Sequence, residues 1–186
     1  MVKRNSGAYI LAYDAENRLT GVAGGPGAAF VYGPGGERVK GTVGSTVTYY
    51  IGAHYEKQGS TIRKYYYAGG TRVAVREGTT LSWLLGDHLG STSITANGTT
   101  GAKVAEVRYR AFGEDRHSSG TTPTTFRFTG QRQESYINLY YYGARWYDPV
   151  LARFVQADTI VPSSEDPQSL NRFSYAGNNV RHEVAG

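Results

Sequence analysis

The sequence has no cysteine, one methionine and two tryptophans among its 186 residues. The lack of cysteine excludes disulfide frameworks, thiolate metal sites and cysteine nucleophiles. No run of about 18 apolar residues occurs, so no membrane-spanning helix is predicted. The glycines lack the period of three that is typical of collagen. A net charge of +5 with 39% hydrophobic residues is too apolar and too weakly charged for a disordered chain. The sequence therefore indicates a globular protein or one part of a larger assembly.

The residues that are abundant are glycine, with 25 copies, and tyrosine, with 16 against 6 phenylalanines. Lysine and arginine total 20 against 15 acidic residues, but they are scattered singly and never form a run of five or six. This pattern predicts a solvated surface. The basic segment Met1–Asn5 is not followed by the apolar stretch of a signal peptide, so no targeting signal is predicted.

The periodicity indicates β-structure throughout. Short segments rich in Tyr, Val, Thr and Ile alternate with glycine-containing turns about every 8–12 residues, which is typical of antiparallel hairpins. The strands predicted in this way are 46–51, 63–67, 72–76, 81–85, 93–96, 103–109 and 126–128. Asn97-Gly98 predicts a two-residue type I′ turn. One short helix is predicted near 164–172, where capping residues precede Pro167.

A repeat lies beneath these strands. Its frame is an aromatic residue, a tight polar turn, an arginine and an aliphatic residue, and it occurs at Tyr13–Leu19, Tyr32–Val39 and Tyr67–Val73. A hairpin of about 20 residues cannot bury its own apolar face, so such units stack on their neighbours. We expect the rings to pack along one sheet face, with guanidinium groups stacked on them.

The second half carries longer motifs. The segments Gly86-Asp87-His88-Leu89-Gly90-Ser91, Tyr109–Glu114 and Phe128–Arg132 resemble three motifs of the rearrangement-hotspot (RHS) or tyrosine–aspartate (YD) repeat family. Leu139–Asp158 and Pro167–Tyr175 resemble the RHS repeat-associated core of that family. The core-motif positions are Gly86, Asp87, His88, Gly90, Tyr142, Arg145, Tyr147, Arg153, Asn171 and Arg172.

The resemblance implies an all-β fold of stacked antiparallel hairpins that form part of a spiral β-shell. It assigns YD-type hairpin repeats to residues 1–80 and the RHS core to residues 81–186, as one continuous structural unit. It also implies a structural function, because bacterial members enclose a toxin in the shell and the related animal teneurins act in adhesion. By the same resemblance, an extracellular or cell-surface location is expected, with a cytoplasmic location as the alternative because no signal peptide is predicted.

In several members of the family the core is an aspartyl autoprotease, and the resemblance makes Asp148 and Asp158 the candidate catalytic pair. Two carboxylates that share a proton have separated pKa values, so one can activate water while the other polarises a carbonyl. The alternative is that Asp148-Pro149 forms a turn and Asp158 bonds to loop backbone. After Asn178-Asn179 the sequence lacks the family's cleavage motif. We therefore predict a chain without catalysis of its own, with self-cleavage as the alternative.

Other chemistry has weaker support. The histidines share no metal-ligand spacing, so no metal site and no cofactor are predicted; they are His54, His88, His117 and His182. Tyr65–Tyr67 and Tyr140–Tyr142 could stack glycans or, less readily, nucleic acid. Alternation along a strand sends the middle ring of each triplet to the opposite face, however, which packing between layers explains as well.

The last expectation concerns partners. A chain of 186 residues is short for an enclosing shell, and a cut spiral exposes unpaired strand edges. We therefore expect self-association through open edges into a shell, tube or filament. The other expected partners are the remainder of an RHS shell and its toxin cargo.

Overall fold

The computed structural model describes residues 3–4, 7–159 and 170–178 and confirms the all-β prediction. Thirteen strands form one antiparallel sheet, the main sheet, in sequence order, and four further strands form the C-terminal sheet. The main sheet consists of β1 Lys3–Arg4, β2 Tyr9–Tyr13, β3 Leu19–Ala23, β4 Ala28–Tyr32, β5 Arg38–Val43, β6 Thr46–Ile51, β7 Tyr55–Gln58, β8 Thr61–Ala68, β9 Thr71–Glu77, β10 Thr80–Gly86, β11 Thr92–Asn97, β12 Lys103–Tyr109 and β13 Asp115–Ser119. The C-terminal sheet consists of β14 Arg132–Glu134, β15 Leu139–Tyr141, β16 Trp146–Asp148 and β17 Arg153–Phe154.

Helical structure within the described residues is limited to two 3-10 turns, Phe128–Gly130 and Ala176–Asn178. No helix in that part of the chain is long and apolar enough to cross a membrane. The helix predicted near 164–172 lies almost wholly outside the described residues. The strand predicted at 126–128 is wrong, because Phe126 forms only an isolated bridge to Arg132 and the chain then enters the first 3-10 turn.

Alternation along the strands gives the main sheet two distinct faces. We call the face toward the C-terminal sheet the inner face and the opposite one the outer face. In β2 the inner position Leu11 is buried while Ile10 is exposed. In β8 Tyr65 is buried and Tyr66 is exposed, which confirms that the middle ring of the triplet faces away from its neighbour. The inner face therefore carries the aromatic core.

The repeat corresponds to a recurring five-residue turn between strands. In its first copy the N–H of Asp14 donates to the carbonyl of Arg18, and the N–H of Asn17 donates back to Asp14. The same pair of hydrogen bonds recurs in turns that begin at Gly33, Asp87, Arg110 and Arg127. The fourth residue has positive φ each time, which favours glycine or asparagine. The copy at Tyr67 differs, since Tyr67 pairs with Arg72 across the two-residue turn Gly69-Gly70.

The prediction of a two-residue type I′ turn at Asn97-Gly98 is wrong. That turn needs positive φ at both central residues, but here the residue with positive φ is Gly101. The Asn97 side chain instead accepts the N–H groups of Thr99 and Thr100, at 2.9 Å each, and so holds a longer loop. Side-chain bonding by asparagine competes with the tighter turn.

The C-terminal sheet packs on the inner face and contacts both ends of the main sheet. Toward the N-terminal end, one cluster joins Leu11, Leu19, Val22 and Phe30 to Ile137, Leu139, Trp146 and Val155. Toward the other end, a second cluster of Phe128, Tyr140, Tyr147, Phe154 and Tyr175 packs against Leu89, Tyr109 and Phe112. The main sheet therefore curls around the C-terminal sheet.

Candidate functional site

The first strand of the main sheet is joined to the C-terminal sheet by a buried ion pair. Arg4 Nε lies 2.7 Å from Asp148 Oδ2, and both side chains are almost fully buried. Arg4 Nη1 also donates to the carbonyl of Ile137. The other oxygen of Asp148 accepts the N–H groups of Val150 and Leu151, at 2.9 and 3.3 Å. Asp148 thus both neutralises Arg4 and caps the turn after β16.

A second arginine, Arg38, lies between the two sheets. Its guanidinium carbon is 4.5 Å from the ring centre of Tyr50 and 4.8 Å from that of Tyr141. It pairs with Glu134 at 2.6 Å. The rings of Phe30 and Trp146 lie slightly farther away, at 5.3 and 5.2 Å. Burial of this charge is therefore compensated by one carboxylate and by the faces of several rings.

Two more arginines enclose the ring of Phe126. Arg72 lies 3.2 Å from its centre and donates to the carbonyl of Gly130. Arg132 lies 4.0 Å from the same centre and forms an ion pair with the buried Glu56. The contact of Arg72, like that of Arg38 with Tyr50, confirms the prediction that repeat arginines stack on aromatic rings. Because Arg72 belongs to the main sheet and Arg132 to β14, the stack ties the two sheets together.

At the far end of the main sheet, tyrosine hydroxyls bond to the turn between β12 and β13. Tyr147 Oη donates to the carbonyl of Phe112 at 2.8 Å, and Tyr140 Oη donates to that of Gly113 at 3.2 Å. Burial raises the pKa of both tyrosines. Gly113 has a φ of +89°, and an added Cβ would lie 2.5 Å from Phe128 Cδ1. Only glycine fits this contact without displacing a ring.

The motif Gly86-Asp87-His88-Leu89-Gly90-Ser91 forms the turn between β10 and β11. Asp87 Oδ1 accepts the N–H groups of Leu89 and Ser91, at 2.9 Å each, while Gly90 has positive φ and His88 is exposed. The hydroxyl of Ser91 accepts the N–H of Thr129 at 3.0 Å. This turn therefore docks on the 3-10 turn that leads into the C-terminal sheet.

The remaining core-motif residues lie in or beside the C-terminal sheet. Arg145 pairs with Asp158 at 2.9 Å and lies 3.7 Å from the ring centre of Phe154. The N–H of Asp158 donates to the carbonyl of Arg172, at 2.7 Å. Tyr142 shares a hydrogen bond of 2.8 Å with Tyr175.

Arg153 and Asn171 make local contacts. Arg153 is exposed and pairs with Asp148 in the strand ladder, and the Asn171 side chain accepts the N–H of Phe173 at 3.3 Å.

The two candidate catalytic aspartates lie at opposite ends of β16. Asp148 is opposite Arg153, beside the turn from β16 to β17. At the other end, the backbone N–H of Trp146 donates to the side chain of Gln156. Asp158 lies two residues after Gln156 in the sequence. Each carboxylate has its own arginine, Arg4 or Arg145. Self-cleavage by this pair stays the alternative hypothesis to a chain without catalysis of its own.

The described residues offer no other obvious chemical centre. Among them, no group of three or more His, Asp or Glu side chains is arranged to hold a metal ion. A cavity of about 460 Å³ is lined by Arg18, Glu37, Arg145 and Asp158, among others, and three of these side chains are engaged in ion pairs. The geometry is that of a packed junction between two sheets.

The roles of Arg4, Glu56 and Arg132 in joining the two sheets are not indicated by the sequence. Arg4 lies in a short basic segment without any motif, and no local pattern indicates that Glu56 faces inward. The repeat frame did contain the signal for Arg38 and Arg72, because both occupy its arginine position.

Stacked antiparallel hairpins that curl around an inner sheet are typical of a segment of a β-shell. A model of the Teneurin YD-shell family matches residues 48–181, which is more than half of the chain. The chain therefore belongs to the Teneurin YD-shell family, of the RHS/YD-repeat type. This membership and the fold give it a structural role as shell material.

Two relatives show how much of a longer protein the chain matches. The chain is 28% identical over 192 residues to the tRNA(Glu)-specific nuclease WapA of Bacillus subtilis subsp. natto, covering 95% of this chain and 8% of that protein. It is 35% identical over 101 residues to salivary gland surface protein 1 of Aedes aegypti, covering 53% of this chain and 3% of that protein. The chain thus spans less than a tenth of the length of these relatives.

Solved structures share the fold. The crystal structure of TcdB2-TccC3-Cdc42 matches with a TM-score of 0.80 and 16% identity, covering 97% of this chain and 10% of that chain. The Tc holotoxin pore of Photorhabdus luminescens matches with a TM-score of 0.81 and 17% identity, over the same shares. These likenesses concern the fold alone.

Proposed function

We propose that the chain is the closing segment of a longer β-shell that encloses a toxin polypeptide outside the cell or at its surface, and that it has no catalysis of its own. One observation carries the proposal: the C-terminal sheet packs on the inner face and bonds to both ends of the main sheet. Arg4 and Asp148 join it to one end, and Tyr147 and Phe112 join it to the other. Such a sheet closes the wall instead of extending it.

The relatives support an enclosed polypeptide. The WapA proteins are nucleases in which the matched part is 8% of the length, so most of each nuclease lies outside the matched segment. The structural neighbours belong to toxin complexes, and the matched part is about a tenth of the matched chain in each. In this proposal the remainder of such a protein supplies the other strands of the β-shell and the enclosed polypeptide.

The open edges are where the wall would continue. In the described part of the chain, β1 pairs only with β2, and β13 pairs only with β12. All five residues of β13 are exposed. An unpaired strand edge presents N–H and C=O groups to another strand. In this proposal the edges pair with the remainder of the shell or, in the isolated chain, with a second copy.

Size exclusion with light scattering at micromolar concentration tests this edge pairing, and we expect masses above that of one chain. Proline at adjacent positions, Ser118→Pro and Ser119→Pro, provides matched variants. Alternate N–H groups of an edge strand point away from the sheet, so one of the two prolines removes only an outward donor. That variant should become monomeric while its stability is retained. A wild-type chain that stays monomeric would contradict completion of the shell through its edges.

A further inference from the structure

The outer face of β5–β10 is basic and carries no carboxylate. The acidic residues within these strands are Glu56 and Glu77, and both line a cavity on the inner side together with Arg63. The outward positions instead include Lys40, Lys57, Lys64 and Arg76. None of these four appears in an ion pair within the described part of the chain. Unpaired cations of one sign on one face attract an anionic partner.

The strand register gathers these residues although the sequence disperses them. Residues directly opposite each other in a sheet share a face, and their Cβ atoms lie about 5 Å apart. A first row across the outer face runs through Val31, Lys40, Tyr49, Lys57 and Ile62. Tyr49 therefore stands between two lysines, and Lys40 Nζ lies 5.7 Å from its ring centre.

A second row runs beside the first. It contains Ile51, Tyr55, Lys64, Arg76 and Leu81. We call the two rows, together with Tyr66 and Trp83 next to them, the outer basic patch. Here Lys64 and Arg76 face each other directly. Like charges at opposed positions destabilise a sheet, and a bound anion would remove that repulsion.

Apolar side chains project from the same patch. Ile51 is 66% exposed and Trp83 is 44% exposed, and Tyr49 and Tyr66 are also exposed. Aliphatic and aromatic residues interleaved with Lys and Arg are the composition that binds at the boundary between lipid headgroups and acyl chains. A single-stranded nucleic acid would use the cations and the rings, but it has no use for an exposed isoleucine.

The shape of the patch gives the same indication. The cavity of about 510 Å³ beside these strands is lined by inward positions such as Tyr50, Glu56 and Arg63, so it does not open among the outward lysines. Cations spread over two neighbouring rows of the sheet fit an extended surface better than a single strand.

We propose that the outer basic patch binds the surface of an anionic lipid bilayer. Lys57 and Lys64 engage lipid phosphates and carboxylates, while Ile51 and Trp83 insert at the interface.

The test is binding of the full chain to phosphatidylcholine vesicles with and without phosphatidylserine. Trp146 is 1% exposed in the core, so a blue shift of tryptophan emission reports Trp83. We expect the shift and co-sedimentation only with phosphatidylserine, and both should weaken in high salt. Lys57→Glu combined with Lys64→Glu should lower the partition coefficient by at least roughly 30-fold, because each basic residue near such a surface contributes a factor of about five.

Two further variants make the test specific. Arg110→Glu with Arg116→Glu makes the same change in net charge away from the patch and should lower binding much less. Ile51→Ser should weaken vesicle binding but leave any binding of polyuridylate unchanged. Equal losses in the two charge variants would overturn the proposal, as would absence of vesicle binding, whether or not polyuridylate binds. Far-ultraviolet circular dichroism verifies that each variant is folded.

Discussion

Arg4 and Asp148 form a buried ion pair across 144 residues of sequence, with 2.7 Å between Nε and Oδ2. The pair joins the first described strand of the main sheet to the C-terminal sheet. Removal of one member leaves an uncompensated buried charge, which is far more costly than the loss of a surface pair.

Asp148→Asn should therefore lower the free energy of unfolding by about 3–5 kcal/mol. The amide can still accept the N–H of Val150 but cannot neutralise Arg4. Urea unfolding followed by circular dichroism measures the effect. Glu114→Gln, which breaks the exposed pair with Arg110, is the control and should cost less than about 1 kcal/mol. Similar losses in both variants would show that the buried pair does not secure the closing sheet.

Arg38→Lys tests the stacking of guanidinium on rings. Lysine keeps the charge beside Glu134 but lacks the planar group that lies against Tyr50 and Tyr141. We expect a loss of about 1–2 kcal/mol in thermal or urea unfolding. Lys40→Arg, on the outer face of the same strand, should change stability by less than about 0.5 kcal/mol. An Arg38→Lys variant with the stability of the wild type would mean that charge alone accounts for the contact.

Gly113→Ala and Gly90→Ala form a matched pair, because both glycines occupy the fourth position of the same turn. Each has positive φ, at +89° and +79°, which costs alanine about 1–2 kcal/mol. Gly90 has open space around it, whereas a Cβ on Gly113 meets Phe128. Gly113→Ala should therefore lose about 1–3 kcal/mol more than Gly90→Ala. Equal losses would indicate that Phe128 moves aside without cost.

The buried tyrosines predict loss of stability at alkaline pH. Burial raises the pKa of Tyr65 to about 12 from 10.0. Between these values the unfolded chain has released a proton that the folded chain retains, so the free energy of unfolding falls as the pH rises from about 10 to about 12. Tyr65→Phe removes this contribution and should reduce the fall by about 2–3 kcal/mol. The measurement is urea unfolding at both ends of that range.

Tyr66→Phe is the control for this experiment. Its ring is exposed on the opposite face, so the pH dependence of the wild type should remain. The Tyr65 hydroxyl also accepts a hydrogen bond from Thr124. Tyr65→Phe removes that hydrogen bond and lowers the free energy of unfolding by the same amount at every pH at which the folded protein keeps Tyr65 protonated. This loss therefore does not change the pH slope. An unchanged pH slope in Tyr65→Phe would refute the assignment.

Mass spectrometry of the purified chain tests self-cleavage. We expect one intact mass near 20.3 kDa after prolonged incubation at acidic and neutral pH, because Asp148 and Asp158 are each held by a separate arginine. Two fragments that disappear in Asp158→Asn, but persist in Asp87→Asn, would instead show that the core is an autoprotease.

The sequence was informative where structure is local. Alternation and glycine spacing predict six of the thirteen strands of the main sheet, namely β6 and β8 to β12, and β6 and β12 have the predicted bounds. The repeat frame also predicts arginine stacking. The prediction at Asn97 failed because its side chain bonds to the loop backbone, which a two-residue turn signal does not include.

The contacts that join the two sheets were not predictable from one sequence. Arg4 meets Asp148, and Glu56 meets Arg132, only because the main sheet curls through many strands before the C-terminal sheet returns to it. Residues so far apart share no periodic pattern. The division of the chain at residues 80 and 81 likewise stays a prediction, and β9 and β10 pair directly across it within the main sheet.

The strictly sequential order of the main sheet has a consequence for how the protein acquires its structure. Every strand from β2 to β13 pairs with the one made just before it, so each step closes only a short loop. The C-terminal sheet depends instead on contacts with both distant ends. We expect the wall to form progressively as the chain emerges from the ribosome and the closing sheet to dock last. The interior would thus remain accessible until synthesis of this segment is complete.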